Sequence, residues 1–132
     1  MANKERGETN IILDGKSYVL RPTFEALCEM EDRSGLSVLK MLASMEGGNI
    51  TMRQMALVIW SGIRGYSPDT ELTINDVGNL VMKTGFLGIM EQTDDEGKNP
   101  VGEFLLNGVL GGDSGKKSKD AGSSEDPKMT TE

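Results

Sequence analysis

The fold is decided by "LDGKSYVLRPTFEALCEMEDRSG", Leu13–Gly35. Asp14-Gly15 stands between two β-rich runs, "TNIIL" and "KSYVLR". A type I′ turn needs positive φ at both central positions, and Asp-Gly is among the pairs that supply it. With that turn Ile11 faces Tyr18 and Leu13 faces Lys16, so one face of the hairpin carries Ile11, Leu13, Tyr18 and Leu20. A lone hairpin is marginal in water, so this face must lie on the helices that follow. Arg21-Pro22 ends the second strand, because Pro cannot donate to a ladder and pushes its predecessor toward extended geometry. Thr23 then caps a helix to about Arg33, with Phe24, Leu27 and Cys28 inward and Gly35 as its stop.

Four further helical patterns follow. "SVLKMLASME" sets Val38, Leu39, Leu42 and Met45 on one stripe, and "GGN" ends it. "TMRQ" is a capping box, Thr51 with Gln54, before a helix apolar on most of its circumference. Met52, Met55, Ala56, Ile59, Trp60 and Ile63 form its main stripe, Leu57 and Val58 fall on the far side, and Gly65 closes it. Such a helix belongs at the centre of a fold. "TINDVGNLVMKTG" repeats the box with Thr73 and Asp76, turns Ile74, Val77, Leu80 and Val81 inward, and runs into "FLGIMEQ" after Gly85. After the loop "TDDEGKNP", "PVGEFLLNGVL" is a last helix with Pro100 at its first position. The fold expected is α+β and mostly α: an N-terminal β-hairpin packed on four to five short helices. Residues 1–8 read as a flexible charged arm, 9–110 as the single domain, and 111–132, rich in Gly, Ser and charge, as a disordered tail.

Composition narrows the function. The 132 residues contain no His and one Cys, which removes the commonest general base, the His-paired nucleophiles and Cys-based zinc sites. Cys28 reads as a buried structural thiol, since Glu25, Glu29 and Glu31 nearby disfavour a thiolate. A net charge of −7, with no basic cluster larger than Lys116, Lys117 and Lys119, argues against a nucleic-acid partner. The polar N-terminus and the lack of a long apolar run argue against a signal peptide or a membrane partner, so a soluble intracellular protein is expected. "GGDSGKKS" misses the phosphate-loop spacing by one residue and reads as linker. "TDDEGKN" lacks the alternation of a calcium loop, and Glu25, Glu29, Glu31 and Asp32 read as a solvated helix face. No enzyme and no cofactor are expected.

Nine Met are many for this length, and thioether side chains make adaptable apolar surfaces as well as core filler. Partner binding is therefore expected at a Met-lined groove comprising Met41, Met45, Met52, Met55, Trp60 and Met90. The hairpin edge near Ile11 and Tyr18 is a candidate for strand addition.

The hairpin ending in Leu20-Arg21-Pro22, the Phe24-Glu25-Ala26-Leu27 helix start, the Asp32-to-Gly35 stop and the Ile59-Trp60-Ser61-Gly62 segment resemble the gene transfer agent and phage tail protein family, over about residues 8–90. That family is commonly assigned as tail assembly chaperones of siphophage-like tails. The resemblance implies a protein that binds the tape-measure protein, keeps it soluble and helps recruit tail-tube subunits. It would act in the host bacterial cytoplasm, would be absent from the mature virion, and could self-associate. It also implies a longer frameshifted form, for which Lys116-Lys117 is the place to look. The alternative is a structural tail-tube or connector subunit retained in the particle. Tube subunits are typically β-rich, so one hairpin among helices favours the chaperone.

Overall fold

The computed structural model describes residues 2–111. Strands β1 (Thr9–Leu13) and β2 (Lys16–Leu20) form an antiparallel hairpin, followed by α1 (Phe24–Ser34), α2 (Val38–Glu46), α3 (Met52–Tyr66), α4 (Ile74–Thr84), the single-turn α5 (Phe86–Met90) and α6 (Pro100–Leu110). The hairpin has the expected register, Ile11 opposite Tyr18 and Leu13 opposite Lys16. Its turn takes positive φ at both Asp14 (52°) and Gly15 (81°). Ile11, Leu13 and Leu20 are fully buried, and Tyr18 packs on the core at its rim.

α3 is the central element, touching β2, α1, α4 and α6. Every residue from Met55 to Ile63 is buried, Leu57 and Val58 included. Both capping boxes form, at Thr51 with Gln54 and at Thr73 with Asp76. Gly65 does not close α3, which continues to Tyr66. It makes room for the chain leaving β2: a Cβ at Gly65 would lie 2.0 Å from the Arg21 carbonyl oxygen, and one at Gly62 2.7 Å from Leu20 Cβ. Across this seam the Arg21 N–H donates to the Gly62 carbonyl at 3.0 Å.

Two large apolar residues expected inward point out. Phe24, at the first position of α1, is 84% exposed, and Leu39 is 62% exposed. Ala26 and Met30 fill the buried side of α1 instead, and Met41 replaces Leu39 on the buried side of α2. Cys28 is half-buried rather than enclosed.

Residues 2–8 are folded onto the domain rather than a free arm. Lys4–Arg6 form a 3₁₀ turn capped by Asn3, Glu8 is buried and accepts from the Asn3 N–H at 2.7 Å, and Asn107 Nδ2 donates to the Gly7 carbonyl. The 112–132 part of the expected tail, with most of "GGDSGKKS" and Lys116-Lys117, lies outside the described residues. Among the described residues no helix is long and apolar enough to cross a membrane, and none of the acidic, His or Cys groups cluster as a metal site.

Candidate interaction surface

The methionines divide between core and surface. Met41 and Met55 are fully buried, Met45 is 6% exposed, and all three sit in the core. The expected Met-lined groove therefore does not exist as a unit: those three side chains fill irregular space between helices in a chain with only six aromatics. Ile11 is likewise fully buried. Met90 is half-buried and packs on the core edge. Of the expected methionines Met52 is open to solvent, beside Met82, on a shallow groove between α3 and α4 floored by Ala56 and Gly78.

Trp60 is buried too, at 6% exposure, but it is the base of something accessible. Its indole Nε1–H donates to the Leu72 carbonyl at 2.9 Å, which fixes the ring against the α3–α4 loop. Two guanidinium groups stand over the ring, Arg33 from α1 at 5.0 Å and Arg64 from α3 at 5.2 Å from its centroid, within cation–π range. Glu29 holds both: its Oε2 accepts from Arg33 Nε at 3.0 Å and its Oε1 from Arg64 Nη1 at 3.1 Å. Glu29 is thus a tether between two helices rather than part of a solvated face. Glu31 is equally occupied, accepting from the Val38 N–H at the start of α2. Arg53, the second residue of α3, lines the same groove with Leu72 and Ile74. Sequence spacing holds a clue to this site: Arg53, Trp60 and Arg64 lie seven and four residues apart, on one helical face. Arg33 and Glu29 join only when α1 packs on α3.

The hairpin edge near Ile11 and Tyr18 is closed on the β1 side by side chains. Gln92 Oε1 accepts from the Ile12 N–H at 3.0 Å and Gln92 Nε2 donates to the Ile12 carbonyl at 2.7 Å, while Thr84 Oγ1 accepts from the Asp14 N–H at 2.7 Å. The loop that follows is held from within. The Asp94 carboxylate accepts from the Glu96 N–H at 2.8 Å and the Lys98 N–H at 3.0 Å. The Lys98 N–H bond is the chief cause that holds the Asp94 carboxyl below its ordinary 3.8; burial opposes it, while the Glu96 N–H bond and the attraction of Lys4 and Lys98 add to it. Asn99 closes the segment. Its Nδ2 donates to the carbonyls of Ile89, Met90 and Gln92, and its Oδ1 caps α6 through the N–H groups of Val101 and Gly102.

The family described as "Phage tail tube protein, GTA-gp10" matches residues 6–86, more than half of the 132 and all of β1 through α4. The chain belongs to this family. No curated protein and no solved structure matches the chain significantly. A phage or gene transfer agent tail protein is therefore established, and the assignment as an assembly chaperone is overturned: the family's description is of a tail tube protein. The expected absence from the mature virion falls with it, because a tube protein is a component of the particle. The mostly helical fold that favoured the chaperone occurs in a tail-tube family, so helix content does not separate the two roles here.

Proposed function

We propose that the chain is a structural subunit of a phage or gene transfer agent tail, built into the tube and retained in the particle. The observation that carries this reading is the family match, which spans the hairpin and the first four of the six helices. The architecture is in keeping with it. The core is continuous from Ile11 to Leu105, the β1 edge is capped at Ile12 and Asp14, and the surface offers grooves rather than a reactive centre. The role is one of assembly without catalysis, with copies of the chain and other tail proteins as partners, and with neither nucleic acid nor membrane as a binding surface.

The test is the composition of purified tails. Quantitative mass spectrometry is expected to find this chain in a fixed, multicopy ratio to the other tail proteins. Tails that assemble with the chain present only in trace amounts would overturn the reading.

A further inference from the structure

The groove over Trp60 concentrates positive charge on an acidic protein. Three of the chain's five arginines, Arg33, Arg53 and Arg64, line it, and the chain as a whole carries −7. Glu29 neutralises one of these charges, and Glu71 also borders the groove. Arg53 makes no ion pair among the described residues, and the Arg33 and Arg64 side chains remain 49% and 38% exposed with donors to spare. Guanidinium groups fixed over an indole and tethered to a carboxylate lose little freedom on binding, and their planar forks suit carboxylate partners.

The chain carries a complementary surface. Asp94, Asp95 and Glu96 stand on the internally bonded loop before α6, with Glu5 and Glu103 beside them on a cleft that Lys4 and Lys98 also line. Glu96 pairs with Lys4 at 3.7 Å and Lys98 at 3.9 Å, while Asp95 makes no ion pair among the described residues, so the surface stays acidic. The two surfaces lie toward opposite ends of α4. Thr73, Ile74 and Asn75 at its start border the arginine groove. Thr84 at its end bonds Asp14, next to the Ile12–Gln92 pair from which the acidic loop departs. Eleven residues of helix separate these ends by roughly 16 Å. Unlike charges at opposite ends cannot satisfy one another within a chain, but they can between chains. A contact of one end on the other is heterologous, and heterologous contacts close into rings or extend into filaments.

We infer that the Arg33–Arg53–Arg64 groove receives the Asp94–Glu96 loop of a second copy of this chain, joining copies head to tail. The inference rests on the tail-subunit reading and names the surface by which its subunits meet. The joint is made by helices and a loop, with the β1 edge already occupied by Gln92.

Sedimentation velocity on the full chain tests it, with wild type, Arg53→Glu, and the double variant Asp95→Asn/Glu96→Gln. All three substituted positions are exposed. Wild type is expected to form oligomers larger than dimers at low ionic strength and to dissociate as salt is added. Each variant should associate at least about tenfold more weakly. An equimolar mixture of the two variants pairs an intact loop with an intact groove once only, so it should stop at a 1:1 dimer. A monomeric wild type at low salt, variants that assemble like wild type, or a mixture that stays monomeric would each overturn the inference. The tail composition is read separately. Tails that contain the chain, with variants assembling normally, would remove the groove and leave the subunit reading intact. Tails that lack the chain would remove that reading regardless of the sedimentation result.

Discussion

The two ends of α3 use the same helix in opposite ways. At its C-terminal end Gly62 and Gly65 have no side chain, and the Leu20 side chain and the Arg21 carbonyl lie where their Cβ atoms would be. At its N-terminal end Met52 and Arg53 reach into solvent, and nothing among the described residues closes the groove over them. The first end is finished by folding, and the second is left open to solvent. A residue's weight in stability therefore depends on which end it occupies, not on its type, and methionines on either side of that divide make the contrast measurable.

The largest effects are expected at the finished end and in the core. Gly65→Ala puts a methyl group 2.0 Å from a backbone oxygen that cannot turn aside, and should destabilise the fold by about 3 kcal/mol. Met41→Ala, at a fully buried site, should cost about 3 kcal/mol through lost burial and a residual cavity. Urea unfolding monitored by circular dichroism reads both, and near-wild-type midpoints would erase the contrast. Asn99→Ala removes the cap of α6 and strands three carbonyls, for an expected loss of about 2 kcal/mol by the same assay. Gln92→Ala should cost about 1 kcal/mol and, more tellingly, speed amide hydrogen exchange at Ile12 ahead of its β1 neighbours. Met52→Ala, at the open end, should move the unfolding midpoint by less than about 0.5 kcal/mol, so a core-sized loss there would break the distinction.

The smallest effect concerns pH. The Asp94 carboxyl titrates below its ordinary 3.8 in the folded chain, so the stability it lends is present above that value and is lost as the pH falls through the lower folded value. NMR of the 94–98 amides during acid titration should show the loop loosening below pH 3.8 and no change in it between pH 5 and 7.

Local chemistry made much of this fold legible. Asp14-Gly15 sets the hairpin register, and Thr51 and Thr73, each with a partner three residues on, set the starts of α3 and α4. What escaped depends on neighbours distant in sequence. Gly65 has the sequence appearance of a helix stop, and only the passage of Arg21 reveals it as a crossing point. Phe24 and Leu39 are apolar at plausible inward positions, but Ala26, Met30 and Met41 already occupy the buried side. The candidate site was half visible, in the spacing of Arg53, Trp60 and Arg64. Its other half, Arg33 with Glu29, comes from α1 and has no local signal. The methionine stripe drew notice by composition alone, and composition does not distinguish a filled gap from an open one.

The Gln92 carboxamide has a further consequence. It presents one donor and one acceptor to Ile12 with the spacing of a peptide group, so it acts as a strand a single residue long. A growing sheet propagates because each added strand offers a fresh row of amides to the next. Gln92 satisfies the Ile12 pair of that row with a group that has no second side to offer, as a capping monomer ends a polymer. On the β1 side this ending withholds the Ile12 backbone groups from any added strand.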